Sequence, residues 1–201
     1  DVLDYLTIGG ESDHYFVLHP DEMDDYVNVL SDIADYVHAH YPDIKFATTL
    51  TLYHGVLEND TLWQSTKEFS DMLSVTYWPL KQDFTVSPNA ISDMPLVISE
   101  LLEAAEGKPV IIKEAGLPSS TLTNSSEQLQ ALFAEELIRH TANIDQIEMV
   151  GWDFLADYDM AAIDYWVEFQ KIYTPQFRAY IGSLGLMDTI GIAKPAYTSY
   201  L

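Results

Sequence analysis

Two glutamates stand where apolar stretches of the sequence stop. Glu114 ends the apolar run in PVIIKEAG, residues 109–116, and Glu11 follows VLDYLTIGG, residues 2–10. If both stretches are parallel strands of one sheet, their carboxyl ends lie at the same edge and both carboxylates face one opening. Two carboxyl groups placed in this way can divide a reaction, one transferring a proton and the other attacking as a nucleophile.

Aromatic, imidazole and further acidic side chains also follow the ends of apolar stretches. The set consists of His14, His54, Tyr77, Trp78, Trp152, Asp153 and Asp157. Aromatic faces suit the C–H faces of sugar rings, and hydroxyl or imidazole donors favour an ionised carboxylate beside them. The alternative for each aromatic residue is a packing role, because Tyr and Trp are also common in strands and cores.

The elements that must position these residues alternate between strand and helix patterns. The predicted strands are 2–10, 45–55, 72–80, 109–116 and 147–155, and the predicted helices are 19–42, 61–69, 91–108, 124–144 and 162–174. Strands that are apolar on both faces are typical of a parallel sheet covered by helices. The predicted fold class is α/β, a TIM-barrel-like, partial (β/α)8 barrel with about five parallel β-α units.

An open, doubly wound sheet that binds nucleotides is a competing architecture. The stretch IGGESDHYF after the first strand lacks the G-x-G-x-x-G pattern and puts an acid where a phosphate would lie. The spacing of the two glutamates fits a barrel better. They are 114 − 11 = 103 positions apart, about three units of a barrel of about 250 residues with eight units.

The composition narrows the classes of partner. The 201 residues contain 9 Lys and Arg against 32 Asp and Glu, a net charge of −23, which disfavours binding to nucleic acid. The sequence has no Cys, no EF-hand pattern and no run of the roughly 20 apolar residues that span a bilayer. We therefore expect no membrane segment, and the absence of such patterns disfavours an acid-rich metal-binding role. The compartment stays open between secreted and cytoplasmic.

Four of these stretches resemble a known family. YLTIGGES, VTYWPL, PVIIKEAGLPSS and VGWDFL are similar to strands four, six, seven and eight of the large glycoside hydrolase clan with (β/α)8 barrels, and GLMDTIGIAKPAY is similar to its closing segment. The resemblance implies retaining hydrolysis of a β-linked oligo- or polysaccharide without a metal or cofactor. It makes Glu11 the general acid/base and Glu114 the nucleophile.

The resemblance also implies a substrate site. Tyr77 corresponds to a tyrosine that hydrogen-bonds the nucleophile, and Trp152 to a tryptophan that forms the floor of the sugar site. His54 and Trp78 would line the same site. One position departs from the clan, because Gly10 stands where an Asn that contacts the sugar 2-hydroxyl usually precedes the acid/base.

The first recognisable strand corresponds to strand four, so residues 1–201 are predicted to be one domain, the C-terminal portion of such a barrel. Its open edges would be covered by a missing N-terminal half-barrel or by a second copy in a homodimer. The alternative function is a non-catalytic half-barrel that binds carbohydrate or acts only as a scaffold.

Overall fold

A computed structural model describes residues 3–200 of the chain. Its sheet contains five parallel strands that lie side by side in chain order. They are β1 (Tyr5–Ile8), β2 (Lys45–Thr51), β3 (Leu73–Tyr77), β4 (Val110–Ala115) and β5 (Ile147–Trp152). Parallel strands in sequential order, with helices between them, are the topology of a (β/α) barrel. The predicted fold class, a partial barrel of this type, is confirmed.

Helices connect and follow the strands. The α-helices are α1 (Ser12–Leu18), α2 (Met23–His40), α3 (Thr61–Thr66), α4 (Met94–Ala104), α5 (Glu127–Thr141), α6 (Met160–Gln170), α7 (Pro175–Ile181) and α8 (Pro195–Tyr200). Two 3-10 turns, Pro20–Glu22 and Thr121–Thr123, and a π-helix, Leu52–Glu58, complete the elements of the described residues.

The strand predicted over 45–55 was wrong at its end. β2 stops at Thr51, and the chain turns at once into the π-helix Leu52–Glu58. The Thr51 hydroxyl accepts a hydrogen bond from the Gly55 N–H at 3.0 Å, which stabilises the first turn of that helix. The apolar residues of the π-helix continue the pattern of the strand, so periodicity alone placed the boundary too late.

Other boundaries also differ from the predictions. The helix predicted over 19–42 is Met23–His40, with a separate 3-10 turn before it, and α1, α7 and α8 were not predicted at all. Helices of six or seven residues contain too few turns for a 3.6-residue period to show. The strand predicted over 2–10 is confirmed only for Tyr5–Ile8, and residue 2 lies outside the described residues.

Within the described residues the chain divides into two compact units. The first unit comprises 3–77, 98–114 and 144–150, and the second comprises 78–97, 115–143 and 151–200. Most of the sheet belongs to the first unit. No helix within residues 3–200 combines the length and the apolarity that a membrane crossing requires.

In the first unit, the two faces of β2 enter different parts of the core. Phe46 packs with Leu30, Ala34 and Val37 of α2, whereas the next residue, Ala47, packs with Met72 and Ile111. Successive residues of a strand point to opposite faces, so the apolar character of both faces follows from having helices on one side and neighbouring strands' side chains on the other.

The second unit has its own core. Ile163 and Val167 of α6 pack against Phe177 and Ile181 of α7. A second cluster there joins Ala134 of α5 with Leu186 and Ala196. This unit therefore buries its helices against each other and against the segment that precedes α8.

We expect Leu50→Ala to lower the free energy of unfolding by about 2–5 kcal/mol, because it removes a fully buried side chain from β2 and leaves a cavity. Leu96→Ala is the matched control, since Leu96 is 61% exposed, and its effect should stay within about 0.5 kcal/mol. Urea unfolding followed by circular dichroism measures both. Equal losses for the two variants would contradict this assignment of the core.

Candidate functional site

The backbone of Glu11 is fixed by the turn after β1. Gly9 has a φ of +77°, and a Cβ at this position would lie 2.2 Å from the Tyr26 hydroxyl, so only glycine fits. Glu11 itself adopts a left-handed conformation, with φ 55° and ψ 33°. Its N–H donates to the Thr49 carbonyl of β2 at 3.0 Å, which holds the turn beside the neighbouring strand.

The carboxylate of Glu11 is held by a hydroxyl from β3. Thr76 Oγ1 donates to Glu11 Oε1 at 2.6 Å, and Thr76 itself is buried. The hydroxyl belongs to a polar patch on this face of the sheet, where Thr49 and Ser74 also hydrogen-bond at 3.0 Å. The same face is apolar nearer the start of β2, at Ala47, so it becomes polar towards the carboxyl ends of the strands.

Burial raises the pKa of Glu11, and the negative charge of Glu114 raises it further. The hydrogen bond from Thr76 and the charge of His14 act in the opposite direction, but the pKa stays above the ordinary value for Glu. Glu11 therefore keeps its proton to a higher pH than an exposed glutamate does, as a general acid requires.

Glu114 is the penultimate residue of β4, at the carboxyl end of the strand as predicted. Its side chain is 31% exposed, and Lys113 Nζ lies 3.3 Å from Glu114 Oε1, so a cation accompanies the carboxylate. Within the first unit, Glu114 is near enough to Glu11 for its charge to act on the pKa of that residue. The structure thus brings the two predicted carboxylates into one electrostatic environment.

Two more predicted residues lie in the first unit. Tyr77 is the last residue of β3 and is fully buried. The centroid of its ring lies 5.9 Å from that of Tyr53. His54 lies in the π-helix after β2, and its ring stacks on that of His14 at 5.2 Å. The roles of Tyr77 towards the nucleophile and of His54 towards the substrate stay predictions.

The second unit contains the two predicted tryptophans. Trp78 packs edge-on to Tyr180 and lies so close to Gly116 that a Cβ there would be 2.6 Å from its ring, which accounts for glycine at that position. Trp152 donates through Nε1 to the Leu184 carbonyl at 3.0 Å. Their binding of substrate stays a prediction.

Trp152 also has aromatic neighbours. Its ring meets those of Phe133 and Tyr200, from α5 and α8. Asp157, another acid singled out in the sequence, forms a buried ion pair with Lys194 at 2.7 Å and accepts from the Gly185 N–H. This carboxylate is accounted for by a structural role.

Sequence reasoning missed two residues that organise the site. Thr76 was overlooked because its importance depends on the register that brings β3 to the level of Glu11. Asp13 is buried and accepts hydrogen bonds from both the N–H and the hydroxyl of Thr51, a partner 38 positions away. The one available signal for Thr76 was its place two residues after Ser74, on the same face of the strand.

Solved structures with a similar fold include several carbohydrate-active proteins. An active-site mutant of a β-1,3-glucanosyltransferase from Rhizomucor miehei, in complex with laminaritriose, has a TM-score of 0.65 and 17% identity over 96% of this chain and 62% of its own. A GH5_18 protein from Streptomyces cattleya, in complex with Manβ1-4GlcNAc, has a TM-score of 0.59 and 17% identity over 89% of this chain and 41% of its own.

A GH2 β-galacturonidase from Eisenbergiella tayi, bound to galacturonate, has a TM-score of 0.57 and 15% sequence identity to this chain. The match covers 87% of this chain and 29% of the galacturonidase chain. The chain thus spans less than two thirds of the length of each of these proteins, and likeness at such identity shows the fold alone. No protein-family model matches the sequence, and no curated protein matches it.

We expect Thr76→Val to raise the pKa of Glu11 further, because it removes the hydrogen bond that favours the ionised carboxylate. Thr76→Ser keeps a hydroxyl and should leave the pKa near that of the parent protein. Carbon-detected NMR titration of the Glu11 carboxyl measures the three pKa values. A fall in the valine variant, or equal shifts in both variants, would show that this hydrogen bond does not control the group.

Proposed function

We propose that the chain is the C-terminal portion of a retaining glycoside hydrolase that acts on a β-linked glycan. The observation that carries the proposal is the pair Glu11 and Glu114, delivered by the carboxyl ends of β1 and β4 and coupled through their charges. Retaining enzymes use two carboxyl groups about 5–5.5 Å apart. The similarity in fold to carbohydrate-active proteins supports the same conclusion.

In this mechanism Glu114 attacks the anomeric carbon while Glu11 donates its proton to the glycosidic oxygen that leaves. The C–O bond to the leaving group breaks, and a bond from Glu114 to the sugar forms. Glu11, now ionised, removes a proton from water, which attacks the anomeric carbon and releases the carboxylate of Glu114. The sugar keeps its β configuration after the two inversions, and no metal or cofactor enters the reaction.

The surroundings of each carboxyl group suit this division of roles. Burial and the charge of Glu114 raise the pKa of Glu11, which favours the protonated form that an acid needs at the start. Thr76 donates to Oε1 of Glu11, so Oε2 is the oxygen that carries the transferable proton. Lys113 forms an ion pair with the carboxylate of Glu114.

In the proposed alignment, β1 to β5 are strands four to eight of an eight-stranded barrel, and 1–201 form one domain. β1 and β5 are the outer strands of this sheet. Strands at such edges need a neighbour. Three further strands from a preceding part of a longer chain, or a second copy in a homodimer, would supply it.

The charge of the chain bears on the substrate. A net charge of −23 repels anionic polymers, so we propose a neutral β-glycan rather than a polyuronide. Among the similar structures, laminaritriose and Manβ1-4GlcNAc are bound by two of the proteins. Gluco- and manno-configured substrates are therefore the first to test, with a uronide as the contrasting case.

A second candidate function is carbohydrate binding without turnover. The observation that favours it is Gly10, which stands where the resembled clan has the Asn that contacts the sugar 2-hydroxyl. Interactions with that hydroxyl supply several kcal/mol in the transition state of such enzymes. A half-barrel without this contact could retain affinity for a glycan and lack catalysis.

Glu114→Gln should abolish covalent labelling by activated 2-deoxy-2-fluoro-β-glycosides, because the amide cannot act as the nucleophile. Intact-mass measurement of the 201-residue chain after exposure to gluco, manno and uronyl reagents detects the label. Glu68→Gln, at an exposed position, is the matched control and should label like the parent. Labelling that persists in Glu114→Gln would exclude this nucleophile, and glycan binding by an unlabelled parent would select the second function.

Gly10→Asn should fold like the parent and strengthen the binding of a glycan that keeps its 2-hydroxyl by up to about tenfold, the worth of one added hydrogen bond. A Cβ at Gly10 would meet no atom within 4 Å, so the side chain has room. Gly10→Ala separates the effect of the amide from the loss of backbone freedom. Titration calorimetry with such a glycan measures the affinity, and no gain of Asn over Ala would show that position 10 does not contact the sugar.

A further inference from the structure

A cluster of ligating side chains in the first unit is not explained by glycoside hydrolysis. Asp13 and His14, at the start of α1, and His54, in the π-helix after β2, each offer one oxygen or nitrogen atom. These three atoms lie within 4.8 Å of one another. Asp13 and His14 have no place in the proposed mechanism.

The imidazole of His54 is the first sign that the cluster serves a ligand. Its Nε2 is buried and has no hydrogen-bond partner among residues 3–200. Its Nδ1 faces Glu58, whose Oε2 lies 3.9 Å away. A buried polar nitrogen without a partner costs free energy, and a histidine bound to a metal commonly directs its second ring nitrogen towards a carboxylate. Both features of His54 fit a metal ligand.

Asp13 is held in place as a ligating carboxylate usually is. The Thr51 N–H donates to Oδ1 at 2.9 Å, and the Thr51 hydroxyl donates to Oδ2. Gly55 makes room for this group, because a Cβ there would lie 2.6 Å from Asp13 Cγ. Each carboxylate oxygen can accept more than one partner, so these bonds orient Asp13 and leave lone pairs for an ion.

His14 completes the cluster from the exposed side. Its ring lies nearly parallel to that of His54, with an interplanar angle of 11° and centroids 5.2 Å apart. Because His14 is exposed, its side chain can change rotamer, and a water molecule can approach the cluster beside it.

We propose that Asp13, His14 and His54 bind a divalent first-row transition ion, with Zn²⁺ as the preferred species. Two imidazoles and one carboxylate suit Zn²⁺ rather than Mg²⁺ or Ca²⁺, which select oxygen ligands. Ligand atoms around tetrahedral Zn²⁺ lie about 3.3 Å apart, because each bond is about 2.0–2.1 Å long. The three atoms lie within 4.8 Å of one another, so ion binding requires them to move closer, and we expect the exposed His14 to do so by a change of rotamer.

The three ligands form no local motif in the sequence, and without such a motif no metal was predicted. His14 and His54 are 54 − 14 = 40 positions apart, and only the pairing of β1 with β2 brings their segments together. A bound ion would tie the loop that carries Glu11 to the helix that follows β2. This role does not depend on glycoside hydrolysis.

Isothermal titration of the 201-residue chain with Zn²⁺ tests the proposal, with millimolar Mg²⁺ present to occupy non-specific sites on the acidic surface. We expect one Zn²⁺ per chain, and visible absorption of Co²⁺ typical of four-coordinate nitrogen and oxygen ligation. His14→Ala and His54→Ala should each weaken binding at least tenfold. Glu58→Gln should weaken it less than the loss of a ligand does, because Glu58 Oε2 lies 3.9 Å from His54 Nδ1 and the Glu58 side chain is 71% exposed.

His40→Ala is the matched control, because His40 is exposed at the end of α2 and outside the cluster. It should bind Zn²⁺ like the parent. Circular dichroism of each variant checks folding, and the exposed His14 keeps the test valid if His54→Ala unfolds. Zn²⁺ affinity that is unchanged in His14→Ala, no saturable binding at all, or equal loss in the His40 control would each overturn the proposal.

Discussion

The pairing of β2 with both of its neighbours is the constraint on which the candidate site depends. Ile8 of β1 is in register with Thr48, and Thr51 of β2 is in register with Thr76 of β3. This register places the Thr76 hydroxyl within hydrogen-bonding distance of Glu11, although the two residues are separated by 65 positions. A slip of one residue would turn the hydroxyl to the other face and leave a half-buried carboxyl group without its donor.

The electrostatics of the site contrast with those of the whole chain. Acidic residues outnumber basic ones by 32 to 9, so most carboxylates must be solvated. Glu11 is instead partly withdrawn from water near a second carboxylate, and both effects oppose its ionisation. Such an arrangement costs stability at neutral pH, because the folded state binds the proton more tightly than the unfolded state does. Proteins retain such costs mainly where a group has chemistry to perform.

Much of the fold could be predicted from the sequence, because apolar strands and periodic helices are recognisable within short stretches of residues. Phe46 and Ala47 are both apolar and both buried, on opposite faces, and the pattern alone indicated a covered parallel sheet. The short α1 and the π-helix after Thr51 were not predicted from the sequence. Their stability comes from contacts such as the one between Asp13 and Thr51. Interactions between distant positions leave no periodic trace in the sequence.

The candidate site, like the fold, contains some features that could be predicted from the sequence and others that could not. The places of Glu11 and Glu114 at strand ends followed from the sequence, whereas the donor Thr76 and the packing of Trp152 against Phe133 did not. The side chain that reaches each carboxylate depends on register. The neighbours of each aromatic ring depend on helices whose positions the sequence leaves undetermined.

The two glycines before Glu11 differ in whether the fold requires them. Gly9 has a positive φ and lies against Tyr26, so its identity follows from the turn that presents Glu11. Gly10 has neither property, since a Cβ there would stand in open space. The backbone would accept an Asn at position 10, so the departure from the resembled clan is not a consequence of how this chain folds. The departure changes the residue next to Glu11, the proposed acid/base, and with it the contact that the proposed site could make to a sugar.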